Sequence, residues 1–107
     1  MSTVEIRSDR SEEGGVVAVA VAGDFDRSQV ERFDEAVDGV GVGHDRVDVD
    51  LSETEIIDSA ALGSLIRLRR ALEAESCSMR TLVTRPFQVR VFEVGGLAEH
   101  LGMVVVE

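Results

Sequence analysis

Apolar and polar residues follow two different patterns in the first quarter of the chain. Val4 and Ile6 alternate with polar neighbours, which predicts a short edge strand, and an acidic turn follows at residues 11–15. Residues 16–22 form an unbroken apolar run that ends at Gly23. Such a run is typical of a strand that is buried on both faces of a sheet, so we expect this strand to be central.

The pattern then changes to helical spacing and back to alternation. After a turn at residues 23–26, Asp26 can cap a helix that ends within residues 39–43. Its predicted buried stripe is Val30, Phe33, Val37 and Val40. Val47, Val49 and Leu51 alternate with Asp48 and Asp50, as in a second inner strand. A helix between two inner strands indicates a right-handed crossover.

The most regular helical pattern begins after residues 51–58, with Asp58 or Ser59 as the N-cap. The stripe predicted to face the sheet is Ala61, Leu65, Leu68 and Leu72, flanked by Leu62 and Ile66. The other side carries small residues and one cation, namely Ala60, Gly63, Ser64 and Arg67. This strip would let the backbone of another protein come close, although an ordinary solvated face is an equal alternative.

The last third predicts a strand, a helix and a final strand. The strand covers residues 79–84, and Pro86 suits the first position of a third helix that Gly95 and Gly96 stop. Val89 and Phe92 anchor this helix, and residues 104–106 form the last strand. We therefore predict a single α/β domain over residues 1–107, with a four- to five-stranded mixed sheet and three to four helices packed on it.

Composition narrows the functional classes. The net charge is -10, which opposes binding to nucleic acid and to anionic lipid surfaces. All 11 basic residues are Arg, and the absence of Lys removes P-loop and Schiff-base chemistry. Cys77 is the single cysteine and cannot form an internal disulfide. The chain contains neither an apolar leader pattern nor a run long enough to span a membrane, so we expect a cytoplasmic protein without direct membrane insertion.

Ser59 is the residue at which a charge would act as a switch. A phosphate on Ser59 would lie at the positive end of the helix dipole, while Asp58 next to it would repel the phosphate. A purely structural role for Ser59, as a cap or turn residue, is the simplest alternative.

The order of elements and the motif at residues 58–62 resemble the STAS domain, and more narrowly a bacterial anti-sigma factor antagonist. Residues 23–26 are similar to the Gly-x-Leu-Asp turn of that family, and residues 92–97 to its closing helix and turn. The resemblance implies that Ser59 is phosphorylated and that Asp26 and Asp58 are the acidic residues of the phosphorylation region. Ala60 and Ala61 stand where the family commonly has Ser or Thr and then Gly, and Asp50 where it often has Asn.

The resemblance also implies the partners. The unphosphorylated form would bind a protein that is both anti-sigma factor and serine kinase, and so release sigma factor; a serine phosphatase would reverse the mark. No catalysis by this chain and no cofactor are needed. The expected partner-binding residues are Asp24, Asp26, Asp50, Asp58, Ala60, Ala61, Leu62, Gly63, Ser64, Ile66 and Arg67.

Two other functions remain open. A STAS docking subunit of an ABC-type lipid transport complex would use the same helix face without phosphorylation. An enzyme could be built if Asp24, Asp26, Asp50 and Asp58 held Mg²⁺ in a phosphoryl-transfer site. A serine hydrolase is disfavoured, because Ile57 stands where a nucleophile elbow has Gly.

Overall fold

A mixed sheet forms the frame of the molecule. The computed structural model describes residues 2–9 and 14–106. The strands are β1 (Thr3–Asp9), β2 (Gly14–Phe25), β3 (His44–Asp50), β4 (Thr54–Ile57), β5 (Ser78–Val83) and β6 (Met103–Val105). They are ordered β1-β2-β3-β5-β6, and β4 pairs with the end of β2. Only β1 is antiparallel to its neighbour among these pairs.

Three helices pack against one face of this sheet: α1 (Arg27–Val37), α2 (Ser59–Ala74) and α3 (Pro86–Val94). The apolar helix side chains that are buried all belong to the predicted stripes, because a 3.6-residue period brings them to one side of each helix. Val30 and Val89 of these stripes are only half-buried, and Val40 lies beyond the end of α1. Fully or almost fully buried helix side chains include Phe33, Leu65, Leu72 and Phe92, and they share one core with Val19, Val49 and Val83 of the strands. The α/β class, the mixed sheet and the helices packed on it are thus as predicted.

The prediction that β2 is buried on both faces is wrong. Val17, Val19 and Val21 are at most 1% exposed, whereas Val16, Ala18 and Ala20 on the other face are only half-buried. The helices cover one face, and small alanines on the other face lose little free energy by meeting water. An unbroken apolar run therefore overstated the burial of this strand.

Strand β4 is an addition to the predicted elements. We expected residues 51–58 to be a connection, but Thr54–Ile57 runs parallel to the end of β2, with Ile56 opposite Asp24. This pairing joins residues about thirty positions apart, so no local pattern revealed it. The acidic turn predicted at residues 11–15 falls mainly on residues 10–13, which lie outside the described residues.

A charged cluster lies on the open face of the sheet. Asp48 accepts hydrogen bonds from Arg46 Nε at 2.8 Å and from Arg80 Nη2 at 2.8 Å, and its side chain is 10% exposed. Burial raises the pKa of Asp48, but the hydrogen bonds from Arg80 and Arg46 outweigh it, and the net pKa lies below its usual value. The ionised carboxylate therefore ties β3 to β5 on this face.

We expect Asp48→Asn to lower the free energy of unfolding by about 1–3 kcal/mol at pH 7, because it weakens charge-assisted hydrogen bonds. Since the folded pKa is lowered, this stabilisation is present above the unfolded pKa and is lost as pH falls through the folded value. Urea unfolding at pH 7 and near pH 3 measures both effects. Asp45→Asn, at an exposed position of the same strand, is the control. An equal loss for the two variants would contradict this assignment.

Candidate functional site

The carboxyl ends of three parallel strands bring three helix N-termini to one edge of the sheet. Strand β2 leads directly into α1, β4 into α2 and β5 into α3. Because β4 and β3 are each parallel to β2, and β5 to β3, these three helices begin at the same edge. Open α/β sheets carry their functional sites at this edge, and Ser59 lies there as the first residue of α2.

Asp58 holds two of these helix ends together. Its Oδ1 accepts the backbone N–H of Ala61 at 2.9 Å, which makes Asp58 the N-cap of α2. Its Oδ2 accepts the backbone N–H of Arg27, the first residue of α1, at 3.0 Å. Asp26 separately caps α1 by accepting the N–H of Ser28 at 3.0 Å. One carboxylate therefore fixes the starts of α1 and α2 relative to each other.

The environment keeps Asp58 ionised. The hydrogen bond from the Ala61 backbone N–H lowers the pKa of Asp58 most, and the N–H of Arg27 lowers it further, against a smaller opposing effect of burial. At a helix N-terminus, a carboxyl group that accepts hydrogen bonds from backbone N–H groups is more stable in its ionised form. The residue before Ser59 is thus a fixed negative charge at neutral pH.

Ser59 is exposed and follows this charge directly. The N–H of Ala61 is already bonded to Asp58, so a phosphate on Ser59 does not inherit that donor. The helix dipole would stabilise a phosphate by about 0.3–1 kcal/mol. Two unit charges about 4 Å apart in water repel by about 1 kcal/mol, so repulsion by Asp58 offsets the gain from the dipole.

An apolar groove opens beside Ser59, between α2 and α3. Its volume is about 470 Å³, and it is lined by Ile57, Asp58, Ser59, Leu62, Phe87, Arg90, Val91 and Val94. Val94 is 82% exposed, an unusual position for a large apolar side chain. The groove therefore combines apolar walls with Ser59 and charged groups at its rim. We name it the α2–α3 groove.

The predicted partner-binding residues fall into separate places. Asp26 and Asp58 lie together with Ser59, and Leu62 lines the α2–α3 groove. Asp50 accepts the N–H of Ser52 and lines a cavity on the open face of the sheet, away from the helices. Asp24 is half-buried in β2 opposite β4. Asp50 thus lies on the face of the sheet opposite the helix that carries Ser59.

The small-residue strip of α2 is likewise divided. Ser64 of this strip is 1% exposed, so its side chain is not accessible to a partner. Ala61, a predicted partner-binding residue outside the strip, is 0% exposed, in agreement with its predicted place in the stripe that faces the sheet. Arg67 donates to Ser64 and to Asp34 of α1, which turns it toward α1. Ala60, Gly63 and Ile66 are half-buried. Part of the strip predicted to be open is thus an internal contact between α1 and α2.

The α3 side of the groove is absent from the residues predicted to bind a partner. Phe87, Arg90, Val91 and Val94 recur at helical spacing, and this second stripe was a readable signal. The predicted residues of this helix were Val89 and Phe92, which lie on its core-facing side. A short helix with apolar residues on two sides has one side left for a partner or for solvent.

The alternative of a metal-dependent enzyme requires acidic side chains that are gathered around one Mg²⁺ ion. Across residues 2–9 and 14–106, no group of three or more His, Cys, Asp or Glu side chains is arranged to hold a metal ion. The four aspartates of the proposed phosphoryl-transfer site are therefore not gathered into one. No helix in the same part of the chain is long and apolar enough to cross a membrane.

Comparison with known proteins decides the family. A family model described as "Mlab, STAS domain" matches residues 8–106, nearly the whole chain. The chain belongs to the STAS domain family. The resemblance noted at the motif around Ser59 is thereby confirmed at the level of the family. No curated protein matches this STAS domain.

Solved structures share the fold of this STAS domain. An anti-sigma factor antagonist from Mycobacterium paratuberculosis superposes with a TM-score of 0.84 at 20% identity, covering 99% of this chain and 87% of the other. Unphosphorylated SpoIIAA, an anti-sigma factor antagonist, gives 0.76 at 18% identity, covering 96% and 89%. Phosphorylated SpoIIAA, a Bacillus cell fate determinant, gives 0.69 at 18%, covering 96% and 92%. At sequence identities of 18–20%, these structural similarities establish the fold of this chain.

We expect Asp58→Ala to lower the free energy of unfolding more than Asp26→Ala, because Asp58 serves two helix ends and Asp26 only one. Loss of one N-cap costs about 0.5–2 kcal/mol. Asp58→Asn should be milder, since Asn also caps helices. Urea unfolding at pH 7 compares the three variants. If Asp26→Ala proves the more destabilising alanine variant, Asp58 does not join the two helices as described.

Proposed function

We propose that this STAS domain is an anti-sigma factor antagonist of the bacterial cytoplasm, switched by phosphorylation of Ser59. Its unphosphorylated form binds a protein that combines anti-sigma factor and serine kinase activities, and this binding frees sigma factor. A serine phosphatase returns the phosphorylated form to the active pool. The chain itself needs no catalytic group for this role.

The observation that carries the proposal is the position of Ser59. Its hydroxyl is exposed at the first residue of α2, directly after the ionised Asp58 and at the rim of the α2–α3 groove. A kinase can therefore reach the hydroxyl without unfolding the helix. The fold shared with structures of anti-sigma factor antagonists supports the same role.

The switch follows from the different cost of a phosphate in the free protein and in the complex. In the free protein a phosphate on Ser59 faces water, and the helix dipole offsets repulsion by Asp58. In a complex that covers the groove, a group with about -1.5 to -2 charges would be buried against apolar side chains. Each 1.4 kcal/mol of this penalty weakens the complex tenfold. Phosphorylation therefore blocks binding while leaving the free fold intact.

A second candidate is a docking subunit of an ABC-type lipid transport complex. The description of the matching family model as "Mlab, STAS domain" favours it. In that role the α2–α3 groove receives a helix of the ATPase subunit, and Ser59 acts as part of the contact surface without being phosphorylated. The two candidates share a docking surface and differ in whether Ser59 is modified.

Intact mass after incubation with ATP and each anti-sigma kinase of the same genome tests the first candidate. We expect a gain of one phosphate in the wild type and none in Ser59→Ala. Ser59→Asp should weaken binding to the same kinase at least tenfold, whereas Ser76→Asp, an exposed serine beyond the far end of α2, should bind like the wild type. The absence of phosphate with every kinase, together with stable capture of a transporter ATPase subunit, would favour the docking subunit.

A charge placed in the α2–α3 groove tests whether the groove is the docking surface. Val94→Asp puts a carboxylate where a partner would bury an apolar side chain, and we expect at least a tenfold weaker complex. Val42→Asp changes an exposed valine, 61% exposed, in the turn after α1 and is the matched control. Isothermal titration against the identified partner measures both. Equal affinities for the two variants would place the docking surface elsewhere.

A further inference from the structure

Gln88, in the first turn of α3, makes hydrogen bonds in four directions. It is 0% exposed, although it is polar. Its Oε1 accepts the backbone N–H groups of Thr84 at 2.9 Å and Arg85 at 3.1 Å. Its Nε2 donates to the carbonyl oxygens of Leu51 at 2.6 Å and Thr54 at 2.9 Å. All the usual hydrogen bonds of a primary amide are thus formed.

The two halves of this amide bind different parts of the fold. The Oε1 contacts belong to the corner between β5 and α3. The Nε2 contacts belong to the tight turn between β3 and β4, which is closed by the bond from Thr54 N–H to Leu51 O at 2.9 Å. Gln88 is therefore a direct link between α3 and the segment that leads to Ser59.

The segment from Thr54 to Ser59 is short, so the position of Thr54 limits the positions that Ser59 can take. Thr54 is itself 0% exposed and donates its hydroxyl to Val21 O at 2.6 Å. Strand β4 then runs four residues to Ile57, and Asp58 and Ser59 follow at once. The other wall of the α2–α3 groove is α3, and Gln88 lies in the first turn of this helix. The buried amide of Gln88 therefore contacts both the start of α3 and the segment that leads into α2, and these two helices form the groove walls.

We propose that Gln88 is a positioning residue that sets the distance between α3 and the Ser59 segment, and so prepares the α2–α3 groove for the kinase. This inference rests on the proposed function. Because buried polar groups without partners are costly, the link holds one geometry and resists others. The groove is then formed before the partner arrives, and less ordering accompanies binding.

Substitutions can separate this link from the cap of α3. Gln88→Glu keeps the two acceptor bonds to Thr84 and Arg85 but in neither protonation state can it donate to both carbonyls, those of Leu51 and Thr54, because a carboxyl group has at most one O–H. Gln88→Met removes all four bonds at similar volume. Thr81→Val removes another fully buried hydrogen bond, from the hydroxyl to Leu101 O at 2.8 Å, on a strand outside the groove lining, and is the matched control.

The test measures phosphorylation of Ser59 by the identified kinase, with every variant held well below its unfolding temperature. We expect Gln88→Glu and Gln88→Met to raise KM about tenfold with kcat nearly unchanged, because the hydroxyl is intact and only docking is impaired. Thr81→Val should keep both constants of the wild type while losing thermal stability. A general loss of stability would not produce this division between KM and kcat.

Amide hydrogen exchange of the free protein supplies a second, partner-independent measurement. Exchange at residues 55–59 should accelerate in Gln88→Glu and stay unchanged in Thr81→Val. The inference is overturned if Gln88→Glu matches Thr81→Val in both KM and exchange. If wild-type protein is neither bound nor phosphorylated by any kinase, the proposed function fails, and the exchange rates alone decide whether Gln88 holds the Ser59 segment.

Discussion

The carboxylate of Asp58 connects the N-termini of α1 and α2, and the geometry around Ser59 depends on that connection. Its two oxygens accept backbone N–H groups from Ala61 and Arg27, residues that lie on different helices. Because both bonds favour the ionised form, the link also places a permanent negative charge beside Ser59. The helix caps and the charge beside Ser59 therefore come from the same group.

The site is a consequence of how parallel strands end. Parallel neighbours bring the starts of three helices to one edge, and the groove between α2 and α3 is the space that these helices leave uncovered. Two buried polar side chains support this arrangement, since Thr54 is bonded to β2 and Gln88 to the turn before β4.

The sequence predicted most of the frame and about half of the site. An unbroken apolar run indicated β2, although it overstated the burial of this strand, while alternation placed β3 and helical spacing placed α2 and α3. Ser59, Asp26 and Asp58 were predicted as site residues and do lie together. Asp50 was named with them but lies on the open face of the sheet, because alternation along β3 sends it away from Leu51. The α3 wall of the groove was missed, since nothing local says which helices will be neighbours.

The amino-acid sequence by itself determined the secondary structure apart from β4, the caps of α1 and α2, the acidic charge and the presence of a serine at the start of α2. These properties are local, and propensity, period and charge act over a few residues. Only the tertiary structure decided that β4 pairs with β2, that one carboxylate serves two helices and that Phe87 and Val94 stand beside Ser59. Each of those contacts joins residues some thirty positions apart. Their formation depends on chain topology and packing, which no short stretch of sequence contains.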